Sequence, residues 1–101
     1  MSWTVHSIAS IVALAMPATA FALTDGYAQY DECVLRSLRD SWNGVAARLI
    51  RQSCDAIYLN NAMLLPRERR YHECILQSLP GVRDNVAIRE ILTICSRRSE
   101  M

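Results

Sequence analysis

Apolar positions recur with a helical period along most of the chain after residue 24. Tyr30, Cys33, Val34, Ser37 and Leu38 follow the i, i+3, i+4, i+7, i+8 spacing of one helix face, while Asp31, Glu32, Arg36, Arg39 and Asp40 fall mostly on the other. Ser41-Trp42-Asn43-Gly44 interrupts the stripe as a breaker cluster. Asn43 is a candidate N-cap, because its side chain can accept a hydrogen bond from a backbone N–H of the next turn. The stripe resumes through Ala46, Leu49, Ile50, Ser53, Cys54, Ile57 and Tyr58, with Arg48, Arg51, Gln52 and Asp55 on the wet side.

The second half does the same. Pro66 fits the first turn of a third helix, where its missing N–H is no loss. Tyr71, Cys74, Ile75, Ser78 and Leu79 form the stripe. Leu79-Pro80-Gly81 stops it, since proline disfavours helix in the residue before it and glycine suits a cap. Asp84 can cap a fourth helix, whose inner face is Ala87, Ile88, Ile91, Ile94 and Cys95. Asn60-Asn61 is the expected joint between the halves.

The resemblance between the halves is an internal repeat. Tyr30-Asp31-Glu32-Cys33-Val34-Leu35-Arg36-Ser37-Leu38 returns 41 positions later as Tyr71-His72-Glu73-Cys74-Ile75-Leu76-Gln77-Ser78-Leu79. The same offset carries Val45-Ala46, Arg48, Ile50 and Cys54 onto Val86-Ala87, Arg89, Ile91 and Cys95. The expected fold is all-α: two tandem antiparallel helical hairpins, repeat 1 over about 27–59 and repeat 2 over about 66–98, forming a small four-helix unit.

The duplicated unit also places the four cysteines. The midpoint of Cys33 and Cys54 falls between Asn43 and Gly44, and that of Cys74 and Cys95 between Asp84 and Asn85. Residues equidistant from a tight turn lie opposite each other in antiparallel helices. Axes about 8–10 Å apart, with Cα atoms about 2.3 Å off each axis, bring facing Cα atoms near disulfide range. The spacing therefore predicts Cys33–Cys54 and Cys74–Cys95, each stapling its own hairpin. A loop of this length makes each bond worth roughly 3 kcal/mol by chain entropy. Cross-pairing, such as Cys54–Cys74 with Cys33–Cys95, stays open as an alternative that costs the copies their independence.

The first residues read differently. Val5 to Thr24 holds no Asp, Glu, Lys or Arg, and Ile8 to Met16 is an apolar run ended by Pro17. Ala18-Thr19-Ala20 and Ala20-Phe21-Ala22 are small-x-small sites. This order predicts a secretory signal peptide over 1–22, leaving a domain over 23–101. No basic residue precedes the run, so an uncleaved inner-membrane anchor through residues 5–24 is the alternative. A domain this small has a marginal core and is expected to be stapled, which four cysteines in an exported chain supply. The 11 basic residues, all arginine, nearly balance 10 acids. That balance argues against a general nucleic-acid binder, which carries a basic face.

Candidate chemistry is sparse. Zinc sites and thiol–disulfide catalysts bring cysteines in close pairs, and no two cysteines are close here. His72 aligns with the solvent-type Asp31 and is expected on the exposed side of its helix. Ser37 and Ser78 recur on the inner stripe without a recurring base, and read as small residues that let helices approach. Glu32 and Glu73 suit the start of a helix. Arg67-Glu68-Arg69-Arg70 is the sole basic run; it reads as a solvated first turn with Arg69 and Arg70 near Glu73. Trp42 sits in a turn, as a partner anchor or as a lid on the hairpin core.

The repeat resembles a motif of small bacterial exported or prophage-type proteins: Glu-Cys-aliphatic-Leu, a Leu and a Gly, then an Ala-rich helix ending in Ile-x-x-x-Cys. It is carried by Glu32-Cys33-Val34-Leu35, Leu38, Ala46-Ala47, Ile50 and Cys54, and by Glu73-Cys74-Ile75-Leu76, Leu79-Pro80-Gly81, Ala87, Ile91 and Cys95. Copy one departs from it, with Arg39-Asp40 where copy two has Pro80-Gly81. The resemblance covers almost all of the chain after the leader. It implies a small helical, exported, bacterial protein and brings no activity with it.

The functional expectation is a non-enzymatic protein-interaction module, periplasmic or secreted, that binds a protein or peptide. Its expected site set holds no catalytic, cofactor or metal-binding residue. Trp42, Arg67, Arg69 and Arg70 are the candidate partner contacts. A membrane-active or toxin-like secreted protein, and an inhibitor of an extracytoplasmic enzyme, are the alternatives. Membrane contact is less favoured, and no nucleic-acid partner is expected.

Overall fold

A computed structural model describes residues 25–101; the expected signal peptide over 1–22 and the alternative anchor over 5–24 lie outside the described residues. Four helices follow one another: α1 (Asp25–Leu38), α2 (Gly44–Tyr58), α3 (Pro66–Ser78) and α4 (Asn85–Ser99). No strand occurs among the described residues, and none of their helices is long and apolar enough to cross a membrane.

Local chemistry sets the boundaries. Asn43 caps α2, its Oδ1 accepting from the N–H groups of Val45 (2.9 Å) and Ala46 (3.1 Å). Asp84 caps α4 through the Ala87 N–H at 3.0 Å. Pro66 occupies the first turn of α3, whose N-cap, Leu65, makes no side-chain cap. The two hairpin turns share one hydrogen bond at repeat-equivalent places: Ser41 N–H to Leu38 O at 3.0 Å and Val82 N–H to Leu79 O at 3.1 Å. They reach it differently. Gly81 has φ +84°, whereas Asp40 at the equivalent place does not have positive φ. Pro80-Gly81 therefore suits a turn that needs left-handed backbone at its third residue, and Arg39-Asp40 makes one that does not.

Both hairpins are stapled as the spacing predicts. Cys33–Cys54 and Cys74–Cys95 have S–S distances of 2.04 Å, with Cα atoms 5.8 and 5.5 Å apart. At the joint, Asn61 donates to Ile57 O (3.1 Å) and Asn60 to Asp55 Oδ2 (2.7 Å), so both asparagines clip the linker to the end of α2.

Packing is serial: α1 on α2, α2 on α3, α3 on α4, while α1 and α4 form no packed pair. The inner helices therefore serve two neighbours and the outer helices one, and the buried seams follow. α2 buries Cys54 toward α1, but also Ala46, Ile50, Ser53 and Ile57, a seam at i, i+4, i+7, i+11. α4 buries Ile88, Cys95 and Ser99, leaving Ala87, Ile91 and Ile94 only half-buried. α1 buries Cys33 and Ser37. α3 instead buries Ile75, with its C-cap Leu79, one residue on from the equivalent seam. One residue is a turn of about 100° around a helix, and α3 takes it because it must face α2 as well as α4.

Two sequence expectations are corrected by that shift. Ser78 is exposed, unlike its counterpart Ser37, because it stands at the rim of the displaced seam. His72 is half-buried rather than solvent-facing, because α2 covers that side of α3, whereas among the described helices none packs on the equivalent side of α1. Cys74 is likewise partly exposed, while the other three cysteines are buried.

Candidate functional site

The four-helix array has two ends. One carries both hairpin turns, and the other carries the joint and the last turn of α4. The candidate contacts divide between them: Trp42 belongs to the first end, and Arg67, Arg69 and Arg70 to the second.

At the turn end, the two copies are cross-braced. Trp42 is 75 % exposed, and the Arg83 guanidinium carbon stands 5.0 Å from its ring centroid. These two residues hold the same position in the two copies. A guanidinium over an indole is attracted by the ring's negative face. Beside them, Asn43 Nδ2 donates to Arg83 O at 3.0 Å and to Asn85 Oδ1 at 2.8 Å. The Asn43 amide thus caps α2 with its oxygen and grips the second turn with its nitrogen. Val45 and Val86, equivalent residues in the first turns of α2 and α4, are both exposed. Val45 opens into a shallow cleft of about 230 Å³ shared with Asn85, Ile88, Arg89 and Leu92. The result is a brace of indole, guanidinium and amide groups that ties the two turns together.

The basic run at the other end is largely engaged. Arg70 Nη2 donates to Ser99 O at 2.9 Å, closing the last turn of α4 instead of pairing with Glu73. Arg69 approaches Glu73 at 3.9 Å, an exposed i, i+4 pair of little energetic weight. Arg67 lines a cleft of about 370 Å³ with Glu68, His72, Ser96 and Glu100.

His72 Nδ1 lies 2.9 Å from Ser53 Oγ across the α2–α3 seam. Burial lowers the pKa of His72 below its usual value of 6.5, and the Glu68 carboxylate opposes the shift without cancelling it. The neutral ring is favoured, with Ser53 as its seam partner. Ser53 is fully buried and is not presented as a nucleophile. Among the described residues, no cluster of three or more His, Cys, Asp or Glu side chains is arranged to hold a metal ion.

The Ser53–His72 and Arg70–Ser99 contacts escape sequence reasoning, because each depends on how neighbouring helices sit. Arg83 as the mate of Trp42 was within reach: equivalent residues of two hairpins that place their turns at one end are natural neighbours.

A family model described as Four-cysteine protein VF_A0006-like matches residues 10–99. No curated protein and no solved structure matches the chain.

Proposed function

From the premise that the chain belongs to the VF_A0006-like four-cysteine protein family, we propose that it is a small non-enzymatic interaction module that engages a protein or peptide outside the cytoplasm, in the periplasm or the medium. The exposed Trp42, held in place by Arg83, carries this reading. Tryptophan and arginine dominate binding hot spots when their conformations are already restricted. The Asn43 bridge restricts this pair from the backbone side. Paired cysteines fit an oxidising compartment.

Membrane activity has weaker support. Arg70 is committed to Ser99 O and Arg69 faces Glu73, which leaves the basic run less free charge than its composition implies. The test is site-specific photocrosslinking in the producing cell, with the crosslinker at Trp42 or at Arg69. Adducts to one protein from position 42, lost on Arg83→Glu and absent from position 69, are expected. Adducts confined to position 69, or none from either, would overturn the reading.

A further inference from the structure

Asn43 is the one asparagine of the chain that precedes a glycine; Asn60, Asn61 and Asn85 precede Asn61, Ala62 and Val86. Side-chain amides of asparagine are among the chemically labile groups of proteins. A following glycine puts no side chain in the way of backbone attack on the amide carbon. Gly44 is exposed, and nothing lies within 4 Å of the place a Cβ would take. Its N–H belongs to the first turn of α2, whose donors have no partner inside the helix. The contacts of the Asn43 amide fix its orientation: the oxygen takes two N–H donors, so the nitrogen faces Arg83 O and Asn85 Oδ1.

We propose that Asn43 is a site of spontaneous deamidation, and that its conversion releases the brace between the two hairpin turns. The Gly44 nitrogen attacks Asn43 Cγ, the bond from Cγ to the amide nitrogen breaks, and ammonia leaves with the Gly44 proton. Water then opens the resulting succinimide at either carbonyl, giving aspartate or isoaspartate. A carboxylate only accepts hydrogen bonds. It therefore faces two acceptors, Arg83 O and Asn85 Oδ1, where the amide donated to both. In isoaspartate the main chain also runs through the former side chain, which displaces the α2 cap. The folded state gates the reaction. Asn43 stands at φ −119° and ψ 124°, where Cβ and the Gly44 nitrogen are far from the eclipsed arrangement that closing a five-membered ring requires. Attack waits until the amide leaves Arg83 and Asn85 and the turn rotates, so an intact brace delays its own loss.

The residue whose carbonyl the Asn43 amide holds, Arg83, is also the one over Trp42. Deamidation thus frees the indole along with the turn, a slow one-way release of the Trp42 site. Only that consequence rests on the reading of Trp42 as a partner anchor. The chemistry and the loosening are measured with no partner present, so the two fail separately. Absence of position-42 adducts leaves deamidation untouched, and absence of deamidation leaves the adducts untouched.

Timed incubation of the oxidised, exported protein at mildly alkaline pH, followed by tryptic mapping, tests it. Cleavage after Arg39 and Arg48 leaves Asn43 as the sole asparagine of its peptide. Aspartate and isoaspartate are expected at position 43 well ahead of positions 60, 61 and 85. Asn85→Ala removes one of the two bonds that hold the amide nitrogen and should speed conversion about fivefold, the factor one ordinary hydrogen bond carries. Gly44→Ala meets open space on a helical backbone, so the conversion should be lost while helical circular dichroism and the disulfide map stay unchanged. Trp42 is the sole tryptophan of residues 25–101. Its fluorescence anisotropy should fall as the converted fraction rises, and Asn43→Asp should show the low value from the start. No conversion at position 43 in the folded chain overturns the inference. So does conversion that ignores both variants, or an anisotropy that does not follow the converted fraction.

Discussion

Ile50 and Ile91 occupy the same place in the two copies, but the serial packing makes them unequal. Ile50 lies in α2 between two helices and is fully buried, whereas Ile91 lies in the outer α4 and is half-buried. Truncating a fully buried isoleucine to alanine removes its transfer free energy and leaves a cavity, at a cost of about 3–4 kcal/mol. The same truncation at a half-exposed site loses roughly half the transfer term and leaves an open notch instead of a void, so about 1–2 kcal/mol is expected. The difference, about 2 kcal/mol, corresponds to roughly 8–16 °C in Tm for a domain of this size. Thermal and urea unfolding of Ile50→Ala and Ile91→Ala, followed by circular dichroism with disulfides intact and protein dilute, measures it. Equal losses at the two positions would refute the reasoning, since a closed bundle would treat both copies alike.

Stability should also depend on pH through His72. Its folded pKa lies below 6.5, so the unfolded chain binds the proton more readily. The contribution is fully present above about pH 6.5 and is lost as pH falls through the folded pKa. Melting temperatures from pH 7.5 to 5.0 should fall, and His72→Gln should flatten that part of the slope. Asn43→Ala should cost more than the 1 kcal/mol or so of an ordinary cap, because the bonds to Arg83 O and Asn85 go with it. Asn43→Asp, which keeps the cap oxygen, should recover part of the loss; chemical denaturation of the pair decides. Graded reduction with alkylation mapping should open Cys74–Cys95 before Cys33–Cys54, because Cys74 is the one partly exposed cysteine.

The helices, caps and disulfide pairing were legible because each is decided within a few residues or by distance from a turn. Asn43 and Asp84 cap as their side chains suggest, and cysteines equidistant from a turn meet. The exposure of His72 was not legible. Its alignment with Asp31 gives the local pattern, but burial depends on having α2 alongside, and a repeat carries no mark of which copy lies inside. The displaced seam of α3 escaped for the same reason. That Trp42 lies in a turn is legible, but its exposure rather than a place over the hairpin core is not, and the brace that restrains it spans 41 residues, from Trp42 to Arg83.

The disulfides join consecutive cysteines, 21 residues apart in each case. A chain that emerges end first from a ribosome or a translocation pore exposes Cys33, then Cys54, before either later thiol. An oxidant that simply joins each new thiol to the free one already present gives native pairing. Oxidative maturation can thus proceed vectorially, one hairpin at a time, without reshuffling by an isomerase. The low sequence separation of the helix contacts works in the same direction, since local contacts form fast.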